Sequence, residues 1–131
     1  MYRDDYACRL AETYLLRAEA YLRSGNTEAA ADDINILRHR AQCAYEIPAS
    51  AIDIYTILDE RARELFFEER RWCTLLRMEP EVAKSQLENY AMYVADVPVF
   101  TGQINWSLFP FPQAVIDSNT GNVLEQNEGW Y

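Results

Sequence analysis

Residues 60–78 read ERARELFFEERRWCTLLRM, and they constrain the fold more than any other stretch of the chain. Ile57, Arg61, Glu64, Glu68, Arg71 and Leu75 follow spacings of four, three, four, three and four, which a continuous helix turns into a single stripe. Leu65, Trp72 and Leu76 fall beside that stripe, so the charges share the apolar face of the helix. A buried ion costs several kcal/mol unless it is paired and hydrogen-bonded. The spacing predicts that Arg61 reaches Glu64 and that Glu68 reaches Arg71, giving an internally neutral layer. Glu60, Arg63, Glu69 and Arg70 fall off the stripe and are expected in solvent.

A catalytic use of the same residues is weaker. Glycosidases set two carboxylates about 5–5.5 or 6.5–9.5 Å apart across a sugar bond. Glu64 and Glu68, one turn apart, would lie on one surface with arginines beside both. A general acid needs a raised pKa, and guanidinium neighbours push the other way. Five serines stand outside any nucleophile-elbow context, and His39 is alone among Arg38 and Arg40 on the polar side of its helix. No catalytic residue, cofactor or metal set is expected.

The 131 residues fit one domain. Only Gly25 and Pro48 interrupt the first 78 residues, which argues for an all-α class. The net charge is −9 and Lys84 is the one lysine, which argues against nucleic acid and against anionic headgroups. Cys8, Cys43 and Cys73 are odd in number and form no CxxC pair, so they are expected as small buried hydrophobes. No stretch approaches the roughly 20 apolar residues of a membrane span. The opening MYRDDYACRL does not match a signal peptide. Helical periodicity starts so near Met1 that the chain is expected to be part of something longer, the alternative being a short protein with a prompt first helix.

A first helix is expected from Asp4 to Ser24, capped by Asp4 or Asp5, with Leu10, Tyr14, Ala18 and Tyr21 on its inner face. Gly25 and Asn26 supply a stop. A second helix follows to Gln42, with Ala30, Ile34, Leu37 and Ala41 inward. So short a turn makes residues 4–42 an antiparallel hairpin. It resembles a tetratricopeptide unit, although Arg17 stands where that pattern prefers leucine. Ser50 and Asp53 have capping-box spacing, which predicts one long helix over 50–78, ended by Pro80. A further helix is expected over 81–95, and a short one from Pro112 through Ile116. Residues 98–131 otherwise read as an irregular segment packing on the helices.

The residues then resemble a known family. Glu60-Arg61, Glu64-Leu65, Glu68, Arg71-Trp72, Leu75 and Arg77 are similar to the ER-x-x-EL-x-x-E-G-x-R-W-x-D-L-x-R signature of SusD/RagB proteins. The hairpin at 9–41 fits, as does the close: LFPFPQ at 108–113, Ile116, Asn119, Leu124, Gln126-Asn127, Gly129 and Tyr131. Glu69, Thr74 and Glu128 depart from the family's glycine, aspartate and proline. The resemblance implies the carboxyl-terminal portion of a longer, non-enzymatic surface lipoprotein of the outer membrane. Such proteins capture glycans or other nutrients for a TonB-dependent SusC-like transporter, over a helical scaffold. It implies a structural ionic and aromatic core at Arg61, Glu64, Glu68, Arg71 and Trp72. It transfers no ligand-binding residue, and any lipid anchor would lie outside this chain. The second reading is an independent adaptor binding a protein through the hairpin groove. Exposed rings can stack on sugars, so Trp106, Tyr93 and Tyr90 are ligand candidates, against the simpler expectation that they pack inward.

Overall fold

A computed structural model describes residues 8–91, 108 and 110–128, all helical or irregular, with no strand among them. The chain forms two compact units, Met1–Thr74 and Leu75–Tyr131.

The first unit is built on α1 (Leu10–Arg23) and α2 (Thr27–Arg40). They join through Gly25, whose φ of +83° places it in the left-handed region that favours glycine. The N–H of Asn26 donates to Tyr21 O at 2.9 Å and that of Gly25 to Leu22 O at 3.0 Å, which closes a Schellman motif. Asn26 then caps α2, its side-chain oxygen accepting from the Ala29 N–H at 3.1 Å. The stop and restart at Gly25-Asn26 are as expected.

Of the four residues expected on the inner face of α1, Ala18 is buried and Tyr14 and Tyr21 pack partly buried against the core, while Leu10 is exposed and lies outside it. Ala11 and Leu15 are buried as well. The helix also starts later than Asp4, because Arg9 is extended (φ −99°, ψ 156°) and its side chain is drawn to α3. Asp4 and Asp5 lie outside the described residues. In α2, Ala30, Ile34 and Leu37 are buried as expected, but Ala41 is not. Ala41 is the C-cap, followed by Gln42 at φ +57°. Bonds from Gln42 N to His39 O and from Cys43 N to Arg38 O, both 2.9 Å, form a second Schellman motif, here without glycine.

Small side chains at Ala11, Ala18, Ala30 and Ala31 let the paired helices approach, while Leu15, Ile34 and Leu37 fill the space between. The connector adds Ile47 to this core. Asn35 pins it there, donating to Ile47 O and accepting from Ile47 N, both at 2.9 Å.

A 3₁₀ turn (Ala49–Ala51) precedes α3 (Ile54–Glu64). Asp53 alone caps α3, accepting from the Thr56 N–H at 2.7 Å, so the expected Ser50 box does not form. Ile57 and Leu65 complete the core. Burying each such aliphatic side chain is worth about 1.5–3 kcal/mol.

The single helix expected over 50–78 is broken. α3 ends at Glu64, residues 65–69 turn with Phe67 at φ +61°, and α4 (Arg71–Leu76) restarts. The reason lies in Leu65, which is buried and whose carbonyl accepts from both Glu68 N and Glu69 N at 2.9 Å. Turning there brings Glu69 back to Arg61, a pairing that a straight helix forbids.

In the second unit α5 (Pro80–Ala91) starts on Pro80, at a first-turn position where a missing N–H costs nothing. Residues 92–95 of the expected helix lie outside the described residues. Pro112 precedes α6 (Gln113–Ser118), which runs two residues past Ile116. Gln126 closes the loop around α6. It accepts from Phe111 N at 2.7 Å and donates to Phe111 O at 2.9 Å.

No atom lies within 4 Å of a Cβ built on Gly25, so its substitution tests backbone conformation alone. Gly25→Ala is expected to cost about 1–2 kcal/mol, and Gly25→Asn less, since asparagine tolerates the left-handed region. Urea unfolding of the two variants checks both sizes and their order.

Candidate functional site

The chemistry of the first unit is concentrated where α1, α2 and α3 meet. Glu64, the last residue of α3, is the junction. Arg9 Nη1 donates to its Oε1 at 3.0 Å, and Arg40 Nη2 lies 2.8 Å from both its oxygens. Arg9 Nη2 also donates to the Glu64 carbonyl at 2.8 Å, which satisfies a group that the end of α3 leaves open and places a cation at the negative end of the helix dipole. Arg9 Nε reaches Glu68 Oε2 at 2.6 Å, and this bond is the main reason that the Arg9 guanidinium is held above its ordinary pKa.

A second knot surrounds Glu69. Arg61 Nε donates to its Oε1 at 2.7 Å, Thr74 Oγ1 donates to the same oxygen at 2.6 Å, and Arg71 Nη1 lies 3.5 Å from Oε2. The Arg61 side chain is 2% exposed, with Nη2 3.6 Å from Glu12. Its Nη1 is buried with no hydrogen-bond partner among the described residues. Arg71 Nη1 also donates to Leu58 O at 2.9 Å.

A third group forms at Glu60. Arg38 Nη1 donates to Oε2 at 2.8 Å and Arg63 Nη2 at 2.7 Å. Arg38 Nε donates to Tyr45 O at 2.9 Å and Nη2 to Cys43 Sγ at 3.3 Å, so one guanidinium fixes the connector to both helices. A cleft of about 670 Å³ opens here, lined by Arg38, Tyr45, Thr56, Glu60, Arg63 and Glu64 among others. Elsewhere Arg17 holds buried Asp33 by two bonds of 2.7 and 2.6 Å and lies over the Tyr14 ring. This gives the arginine its place in a hairpin whose pattern prefers leucine.

The expected ionic core is therefore repartnered. Arg61 pairs with Glu69 and Glu12, not Glu64. Glu64 pairs with Arg9 and Arg40. Glu68 pairs with Arg9, not Arg71, and its side chain is 49% exposed. Arg71 is 26% exposed and Trp72 half-buried. Glu60 and Glu69, expected in solvent, are largely desolvated, while Arg63 and Arg70 are exposed as expected. Arg9, Arg38 and Arg40 join this layer from 22 to 59 residues away, beyond the reach of helix spacing. The arginine pair flanking His39 was the available signal.

Both oxygens of Glu64 receive guanidinium N–H groups and Glu68 shares Arg9 with it. The arrangement ties the start of α1 and the end of α2 to the end of α3. His39 is exposed and pairs with Glu46. The cysteines are free thiols. Cys8 and Cys73 are exposed and Cys43 is half-buried, so none is the buried hydrophobe expected. Cys8 is pushed up in pKa, chiefly by a hydrogen bond to the Glu12 carboxylate. Among the described residues no three His, Cys, Asp or Glu are arranged to hold a metal, and no helix is long and apolar enough to cross a membrane. Trp106, Tyr93 and the Tyr90 side chain lie outside the described residues.

These helices and their arginine–glutamate knots define an all-helical unit in which Glu60, Glu64 and Glu69 each tie separate segments together. The chain belongs to the SusD family, whose model matches residues 2–130. It is similar to the starch-binding protein SusD of Bacteroides thetaiotaomicron (strain ATCC 29148 / DSM 2079 / JCM 5827 / CCUG 10774 / NCTC 10582 / VPI-5482 / E50), with 35% identity over 125 residues. That match covers 93% of this chain and 21% of the relative, so the chain spans about a fifth of the relative's length. No solved structure matches it significantly.

Removing one partner of a buried ion pair costs about 3–5 kcal/mol, because the other charge is left buried. Arg61→Ala is expected to fall in that range. Arg71→Ala, at a more exposed guanidinium, should cost clearly less. Paired equilibrium unfolding curves decide the order. Equal costs would mean that burial does not set the energetics here.

Proposed function

We propose that the chain is the carboxyl-terminal, non-catalytic scaffold portion of a glycan-binding protein of an outer-membrane uptake system. The observation that carries this reading is the family match over residues 2–130, together with 35% identity to a protein named for binding starch. The engagement of Glu64 and Glu68 by one arginine supports a structural role for carboxylates that spacing alone could offer to a glycosidase. In the whole protein a lipid anchor outside this chain would hold it at the cell surface. A TonB-dependent SusC-like transporter would be its membrane partner, as the family resemblance implies. Residues 1–131 would serve there as a single supporting domain, with Arg61 and Glu64 desolvated inside it and Glu68, Arg71 and Trp72 nearer its surface.

Native gels containing starch, xylan, mannan or mucin glycans test this with the full-length protein. Retarded migration in at least one, with no release of reducing sugar on incubation, is the expected result. Sugar release abolished by Glu64→Gln would make the protein an enzyme. Unretarded migration in every gel would remove the glycan assignment.

A further inference from the structure

The cleft beside Glu60 is built in a way that helix packing does not require. Its wall is the connector bearing Tyr45, which remains 65% exposed although Arg38 holds its carbonyl and Asn35 holds the backbone of Ile47 two residues on. An aromatic ring on a pinned, irregular segment loses little freedom when it meets a ligand. Arg38 stands 5.7 Å from the ring centroid and braces it.

Glu60 supplies the second feature. Its side chain is only 9% exposed, yet all its recorded bonds fall on Oε2, from Arg38 and Arg63. Oε1 accepts none among the described residues. A largely desolvated carboxylate that lines the cleft thus keeps one oxygen with acceptor capacity. Arg63 is 57% exposed and has an N–H group beyond those committed to Glu60, so a donor stands beside that acceptor.

Charge and size narrow the class of ligand. Two arginines and two glutamates line the cleft, which makes its lining formally neutral. An anion or a cation would find no net attraction there. The volume of about 670 Å³ is within the roughly 300–1,000 Å³ of small-molecule sites. Ala41 and Ala51 leave flat, small surfaces on the remaining walls. A neutral ligand carrying both hydroxyl groups and an apolar face matches this set. It would lay C–H bonds on the ring while adjacent hydroxyls donate to Glu60 Oε1 and accept from Arg63.

We propose that the cleft bounded by Tyr45, Glu60 and Arg63 is a saccharide-binding subsite, taking a short neutral oligosaccharide with Tyr45 as its stacking platform. This rests on the glycan-binding reading above and gives it a location within this chain.

The test uses full-length protein labelled with 3-fluorotyrosine, with the Tyr45 resonance identified through Tyr45→Phe. Maltohexaose, xylohexaose and mannohexaose are titrated one at a time, and calorimetry reports total binding. The expected result is a saturable shift of the Tyr45 resonance with at least one sugar. Arg63→Ala should then weaken the midpoint of that shift tenfold or more, with its melting curve showing a folded protein. Calorimetric binding with an unmoved Tyr45 resonance would overturn the subsite and leave the glycan reading standing. A shift that Arg63→Ala leaves unchanged would also overturn the subsite as drawn. No binding of any of the three by either method would overturn the subsite as drawn, and together with unretarded migration in every glycan gel it would overturn the glycan reading as well.

Discussion

Glu64 carries a charge that three helices need. Arg9 approaches from the start of α1 and Arg40 from the end of α2, and the carboxylate is the last side chain of α3. Helix ends are where unpaired backbone groups and dipoles concentrate, so charge complementarity acts most strongly there. Removing this carboxylate would leave two guanidinium groups facing one another at the meeting point of the unit. The apolar core can only fix which faces touch. The arginine–glutamate contacts, directional and of fixed length, fix where along each helix the contact falls.

How much of this was legible in the sequence depends on how far apart the partners lie. The α1–α2 hairpin was readable because its signals are local: apolar spacing on each helix, and Gly25-Asn26 between them. The break at residues 65–69 was not readable, because nothing in LFFEE is a breaker. Leu65 and Phe66 fit a helix, and a left-handed Phe67 has no propensity to announce it. The break is a tertiary outcome, in which burial of Leu65 and the return of Glu69 to Arg61 outweigh the helical hydrogen bonds given up there. The end of α2 shows the same limit on a smaller scale. Its Schellman geometry matches that of α1, but Gln42 occupies the position that glycine marks at residue 25.

The charged stripe shows why a correct list of residues can conceal an incorrect wiring. Arg61 and Glu64 do lie in the layer that spacing predicts. Spacing along a helix can offer only neighbours three or four residues away, and desolvated groups choose partners by direction and distance in three dimensions. Arg9, Arg38 and Arg40 arrive from elsewhere in the sequence, and they displace the local pairings. Family membership was legible for a different reason: it rested on the order of short blocks, which survives even when the contacts inferred for each block do not.

The Gln126 clamp has a further consequence. A carboxamide has the donor and acceptor of a peptide group, so its two bonds to Phe111 reproduce a rung of an antiparallel ladder without a second strand. A true strand pair would present an outer row of unpaired groups to which other chains can add. A side chain ends at its amide and presents no such row. The segment from Phe111 to Gln126 thus gains sheet-like closure without creating a template for growth, a useful property for an irregular stretch rich in exposed apolar residues.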